Sequence, residues 1–198
     1  MKKATFLFIL LLCGMTMKAQ IGQGKIQLGG TVGISTQKTG DNETSYFNVL
    51  PRAGLFVSEN TSVGIVTGYS TLNRDVFSVA DARIVEMKTN QFVVGAYSRF
   101  HKSLADNFYI YLQPSATYAT GKSKTDGTET STSDNITLQV SPGLAYFLSN
   151  RFSIEMNIGN LTYSNTNRDA QGVEETTNAF DLNLSLTGMT FGVSYFIK

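Results

Sequence analysis

Residues 91–101 read Gln-Phe-Val-Val-Gly-Ala-Tyr-Ser-Arg-Phe-His, and this stretch decides the fold class. Successive side chains of a β-strand point to opposite faces of the sheet, so a strand sorts its residues with a period of two. Here one face holds Phe92, Val94, Ala96 and Phe100, and the other holds Gln91, Gly95, Arg99 and His101. The stretch therefore predicts a strand with one apolar face and one polar face.

The same alternation recurs on both sides of this stretch and predicts eight strands. The segments that show it are Lys25–Ser35, Tyr46–Ser58, Ser62–Leu72, Gln91–His101, Phe108–Thr120, Ile136–Leu148, Phe152–Gly159 and a last one from Leu182 to Ile197. In the last segment the apolar phase slips by one residue near Thr187 and Gly188. One extra residue restores the phase, so the slip predicts a β-bulge.

The connections between these segments alternate between short and long. Short turns are predicted at residues 59–60, 102–107 and 150–151, whereas residues 37–45, 73–90, 121–134 and 165–179 form long polar stretches. These long stretches show no periodicity, and we expect mobile loops there. An even strand number with alternating short turns and long loops is typical of an up-and-down membrane barrel.

The charged residues of the predicted strands indicate which face points into the barrel. Lys25, Arg52, Arg99 and Glu155 all lie opposite the apolar set. Soluble lipocalin-like barrels also alternate, but they keep apolar residues inside. An eight-stranded interior has room only for side chains, and a Lys or Arg facing the middle of a bilayer costs about 2–4 kcal/mol. We therefore expect apolar residues against lipid and these four charges in the lumen. Because buried charges persist only in pairs, they predict an ion-pair network, either a structural plug or a gated ion path.

The first nineteen residues have the anatomy of a secretory signal peptide. Lys2 and Lys3 precede an apolar run that is too short for a membrane helix, which needs about 20 residues, and Ala19 is the small residue of the cleavage site. The predicted domains are therefore a signal peptide at 1–19 and one barrel domain at 20–198. Cys13 is the only cysteine and lies inside the leader, so disulfides and thiol chemistry are excluded from the mature chain.

Composition and single residues exclude further function classes. A net charge of +1 and a pI near 7.8 do not provide the basic surface that nucleic acid requires. The one histidine, His101, is predicted beside a short turn, and a structural role is expected there instead of catalysis. No residue pattern predicts a metal site, a phosphate loop or a cofactor site.

The C-terminal strand carries a pattern of its own. Thr190, Gly192, Tyr195 and Ile197 match the terminal-strand signal read by the outer-membrane assembly machinery. Together with the strand pattern, this chain resembles the small outer-membrane β-barrel domain proteins of the porin-family type of Bacteroidetes, which are similar in architecture to outer membrane proteins X and A.

The resemblance implies an all-β fold: an eight-stranded antiparallel up-and-down transmembrane β-barrel preceded by a signal peptide. It implies a monomer in the outer membrane of a Gram-negative bacterium, with outer-membrane lipid and the assembly machinery as partners. We expect a structural or surface-interaction role without enzymatic activity. Three alternatives stay open: a narrow porin for ions or small solutes, a lipid A-modifying enzyme, and a soluble lipocalin-like binder.

Overall fold

The structure is a computed structural model that describes residues 21–40, 42–78, 83–184 and 190–198. The predicted signal peptide and the predicted bulge near Thr187 and Gly188 lie outside these residues. The described secondary structure consists of strands: β1 Ile26–Thr39, β2 Asn42–Phe56, β3 Thr61–Ser78, β4 Arg83–Ala105, β5 Phe108–Thr125, β6 Thr128–Ser149, β7 Phe152–Asn157, β8 Asn160–Ala170, β9 Val173–Asn183 and β10 Thr190–Ile197. No helix in the described ranges is long and apolar enough to cross a membrane.

Antiparallel pairing of these strands closes an eight-stranded barrel. Strands β1 to β6 pair in sequence order, and β10 pairs with β1 from Ile26↔Ile197 to Gly30↔Val193. Strands β7 and β8 both pair with β6, so they form one barrel strand with a break at residues 158–159. Strands β9 and β10 pair with β8 and β7 and form the last one. The predicted fold class is confirmed.

The register is defined on both sides of the break at residues 158–159. Asn157 pairs with Thr190 and Asn160 pairs with Asn183. The paired positions are three residues apart on one side and seven apart in sequence on the other.

The apolar face of every strand points outward. Phe92 is 52% exposed and Ile65 is 62% exposed, whereas Arg99 is 0% exposed. Exposed aromatic residues border this apolar surface at both ends, as in membrane barrels: Phe47, Tyr69, Phe92, Tyr118 and Tyr163 lie towards one end, and Phe100, Tyr146 and Tyr195 towards the other. The predicted direction of the pattern is confirmed, and the soluble lipocalin-like alternative is wrong because its apolar residues would fill the interior.

The prediction of long irregular loops is wrong for the described residues. Strands β5 and β6 continue pairing up to Thr125↔Thr128, and β8 and β9 up to Ala170↔Val173. The turns between them have positive φ at both central residues, Asp126 and Gly127 in one and Gln171 and Gly172 in the other, as in type I′ hairpin turns. The Thr-rich flanks favour extended backbone, so the polar segments lengthen the barrel strands into hairpins. The end of the barrel that carries these hairpins is called the hairpin end below, and the opposite one the short-turn end.

Candidate functional site

A buried carboxylate between two guanidinium groups lies inside the barrel near the short-turn end. Glu155 on β7 forms salt bridges with Arg52 on β2 and with Arg99 on β4, the latter at 2.8 Å from Nη1 to Oε2. Strand alternation directs all three side chains inward. We call Arg52, Arg99 and Glu155 the ion cluster. The prediction that Glu155 bridges at least one cation in the lumen agrees with this geometry.

Two glutamines and two tyrosines surround the ion cluster. Gln27 Nε2 donates to Glu155 Oε1 and to Ser194 Oγ, each at 3.0 Å. Arg99 donates from Nε and Nη2 to Gln113 Oε1 at 2.9 and 2.6 Å, and its guanidinium lies 4.0 Å from the ring centre of Tyr111. Every nitrogen of the Arg99 guanidinium therefore has a partner, which compensates for its complete burial.

Tyr97 and Tyr111 fit into the lumen because glycines face them on the neighbouring strands. A Cβ on Gly143 would lie 2.3 Å from Tyr111 Cζ, and a Cβ on Gly64 would lie 2.8 Å from Tyr97 Cε1. Such separations are shorter than a van der Waals contact, so a side chain at either position would displace the ring. The glycines therefore set how the rings pack around the ion cluster.

Lys25 precedes β1 at the short-turn end, and its membership of the lumen network stays a prediction. The backbone N–H of Phe56 donates to the carbonyl of Lys25. Partial burial, and then the nearby Lys198 cation, lower the pKa of Lys25. Alternation predicts that Lys25 points inward. It does not predict how far Lys25 lies from Glu155 along the barrel axis.

Rings close the lumen on the short-turn side of the ion cluster. Phe147 lies 5.0 Å from Phe196 and 5.2 Å from Tyr109 between ring centres, and Phe56 lies 6.1 Å from Phe196. These four residues with His101 and Tyr111 form the aromatic layer. His101 stands between Phe56 and Tyr111, at 5.3 and 6.1 Å, and is nearly buried. The sequence analysis does not predict this layer, although all of its members lie close to the short turns in the barrel.

The lumen on the hairpin side of the ion cluster is lined by smaller side chains. They are Asn48, Ser70, Gln91, Thr117, Asn135 and Thr137, which point inward and remain partly exposed. Inward side chains that keep solvent contact indicate a lumen that water enters from the hairpin end. Water access therefore decreases towards the ion cluster.

The four residues of the predicted assembly signal lie on the strand that closes the barrel. Tyr195 and Ile197 point outward among the exposed apolar residues, and Tyr195 pairs with Leu28 on β1. Thr190 Oγ1 accepts a hydrogen bond from Asn157 Nδ2 at 3.3 Å. A Cβ on Gly192 would lie 3.1 Å from the Gly30 carbonyl oxygen, so a larger residue would press on β1. Their role as an assembly signal stays a prediction.

Comparison with known proteins gives a family match over nearly the whole chain. The family model described as outer membrane protein beta-barrel domain matches residues 4–195. No curated protein sequence matches.

Three solved barrels are similar to the structure. The N-terminal β-barrel domain of Pseudomonas aeruginosa OprF has a TM-score of 0.48 at 10% identity, covering 89% of this chain and 99% of that one. Ail, the attachment invasion locus protein of Yersinia pestis, has a TM-score of 0.42 at 13% identity, covering 88% and 99%. Neisserial surface protein A has a TM-score of 0.46 at 12% identity, covering 86% and 94%.

Proposed function

Because the chain belongs to the outer membrane protein β-barrel domain family, we propose that it is a non-catalytic surface protein of the outer membrane, with a sealed lumen and exposed hairpins. The protein is located in the outer membrane. In this proposal the barrel anchors the chain, and the hairpins β3–β4, β5–β6 and β8–β9 contact the surroundings. The periplasmic side is the short-turn end, as in other barrels of this kind.

The observation that carries the proposal is the closure of the lumen by two successive layers. Glu155 is held by two arginines and by Gln27, and removing one partner of a buried ion pair costs about 3–5 kcal/mol. Opening a path for ions at this level would require such a loss. The aromatic layer beneath adds a second barrier, with ring centres 5.0–6.1 Å apart. Together these layers favour a plug over a channel.

The position of His101 supports a role without catalysis. Its ring is enclosed by Phe56 and Tyr111, whereas an enzyme acting on lipid A would work at the outer leaflet, near the hairpin end. A deletion strain with an unchanged lipid A mass profile is the expected result. A changed profile that the intact gene restores would instead support the lipid-modifying alternative.

Single-channel recording in planar bilayers tests the sealed lumen. We expect no steady conductance from the folded protein. The double variant Phe56→Ala/Phe147→Ala, which removes two rings of the aromatic layer, still leaves the ion cluster closed and is expected to stay silent. Adding Glu155→Ala and Arg52→Ala should produce conductance. Phe100→Ala, which removes an exposed ring outside the lumen, serves as the control.

A narrow porin is the second candidate, and the partly exposed lining of the lumen at the hairpin end favours it. In that case the unmodified protein conducts, and Arg52→Ala or Glu155→Ala changes the ion selectivity. If the unmodified protein conducts steadily and these two variants change the conductance, the ion cluster is a gated path and not a plug.

A further inference from the structure

The lipid-facing wall has a depression where β4 and β5 present small side chains. Ala96 on β4 pairs with Ala116 on β5, and Pro114 follows one outward position closer to the short-turn end. Leu138, Tyr163 and Phe180 border them on β6, β8 and β9. The resulting cavity measures about 520 Å³ and is almost entirely apolar. We call this depression the lipid groove.

The position of the lipid groove limits what can fill it. Its lining residues belong to the outward apolar surface, which is in contact with acyl chains in an outer-membrane barrel. Atoms that line an empty groove lack partner atoms on one side and lose the dispersion energy of those contacts. An acyl chain that enters the groove restores those contacts, so the groove favours an ordered chain over a mobile one.

Lysines lie on the same outward face, closer to the hairpin end. Lys88 on β4 pairs directly with Lys124 on β5, and Lys122 occupies the neighbouring outward position. All three are exposed. Like charges directly opposite each other on adjacent strands destabilise a sheet. Glu129 on β6 faces Lys124 but binds Lys122 at 3.0 Å, so three lysines share one carboxylate at this level.

Acidic residues lie beyond these lysines, except Glu129 at their level and Asp134 on the groove side. Asp75 pairs with Glu86 one outward position further from the apolar surface, and Asp126 is bound by Arg83. Asp134 lies between the lysines and the groove, and it accepts a hydrogen bond from Tyr118. The lysines therefore form the cationic level nearest the apolar surface.

The separation between lysines and groove matches one leaflet. Eight residues of β5 separate Lys124 from Ala116, which is about 26 Å along a strand. With a strand tilt of about 45°, the depth is about 19 Å, close to half of the roughly 40–45 Å bilayer including its headgroups. A lipid with its phosphate at the lysines would place its acyl chain in the groove.

We propose that this face binds a phosphate-bearing lipid of the outer leaflet, with the phosphate between Lys88 and Lys124 and one acyl chain in the lipid groove. The charge of the facing lysines selects the anionic headgroup, and the depression selects an ordered chain. The site lies on the outer wall and is independent of the lumen.

Native mass spectrometry of the folded protein, with lipid A as the probe, tests the site. Lys88→Gln/Lys124→Gln is expected to weaken binding roughly 30-fold, since each lysine contributes about 1 kcal/mol near an anionic surface. Ala116→Leu fills the groove without changing charge and should also weaken binding. If that variant does not fold, as judged by gel mobility before and after boiling, Ala96→Leu replaces it.

Two controls separate specific binding from general attraction. Lys102→Gln removes an exposed lysine near the short-turn end and should leave binding unchanged, and phosphatidylcholine should bind far more weakly than lipid A. Equal losses in Lys102→Gln and in the double variant would overturn the proposal. It would also be overturned if inorganic phosphate displaced the lipid at equal concentration, or if both groove variants bound it as the unmodified protein does.

Discussion

At the scale of single residues, the lumen depends on one carboxylate that serves two arginines. Desolvating three charges is costly, and only mutual attraction and complete hydrogen bonding offset that cost. Gln27 donates one hydrogen bond to Glu155, and Gln113 accepts two from Arg99, whereas Arg52 Nε has no partner among the described residues. The cluster is therefore sensitive to the loss of its single negative charge.

Replacing Glu155 by Gln should destabilise the barrel by about 3–5 kcal/mol, because two guanidinium groups then stay buried without a counter-charge. Urea unfolding in lipid vesicles, followed by tyrosine fluorescence and gel mobility, measures the change. Glu129→Gln is the matched control: it breaks an exposed pair with Lys122 and should cost less than about 1 kcal/mol. Equal effects of the two variants would show that Glu155 contributes no more than a surface charge.

A second prediction concerns the room that Gly143 leaves for the Tyr111 ring. Gly143→Ala should destabilise the barrel by about 1–3 kcal/mol, because its Cβ would meet the ring of Tyr111. The same unfolding experiment measures it. Gly22→Ala adds the same methyl group where nothing lies within 4 Å and should have little effect. If Gly143→Ala left the free energy of unfolding unchanged, the Tyr111 ring would be able to shift without a loss of stability.

The inward side of the strands could be predicted at residue level, but contacts across the lumen could not. Alternation placed Arg52, Arg99 and Glu155 on one face, since parity is a local property of a strand. Alternation predicts the same face for Lys25, although that residue lies at the short-turn end. Height along the axis depends on strand tilt and register around the whole barrel. Gln27 and Gln113 were not identified because a buried amide and a solvated one look alike in sequence.

At the scale of elements, the polar segments between the strands form hairpins. Their sequence predicts loops, because their Ser, Thr and Asn residues lack the apolar stripe that indicates a strand. A strand that leaves the membrane is solvated on its outer face and needs no such stripe. The Asp126–Gly127 pair between Thr-containing segments is a hairpin signal and would have located the β5–β6 turn.

Gly127→Ala should loosen the β5–β6 hairpin and leave the barrel intact. Gly127 has a φ of 81°, and a Cβ in left-handed backbone costs about 1–2 kcal/mol. Hydrogen exchange monitored by mass spectrometry should show faster exchange over residues 121–134 and no change in β1 and β10. Thr128→Ala is the control, since it leaves the turn glycine in place. Fast exchange of this segment in the unmodified protein would contradict the extended hairpin.

At the scale of the whole molecule, the interior changes along the axis while the outer wall stays apolar. The aromatic layer lies at the short-turn end, the ion cluster follows, and partly exposed side chains, many of them polar, line the rest. The partly exposed lining therefore lies on one side of the ion cluster only. In the proposed orientation, the closed end with its short turns faces the periplasm and the hairpins lie outside.

Cysteine labelling on intact cells tests that orientation. The chain has a single cysteine, Cys13, so a Cys13→Ala background gives unambiguous labelling. Thr128→Cys, at the start of β6 beside the hairpin turn, should react with a membrane-impermeant maleimide at once, because the hairpin extends beyond the outer leaflet. Asn60→Cys, in the opposite turn, is also exposed and should react only after the outer membrane is permeabilised. The reverse order of labelling would show that the barrel has the opposite orientation, with the proposed lipid site in the inner leaflet. Immediate labelling of both positions would contradict the proposal that only the hairpin end is exposed at the cell surface.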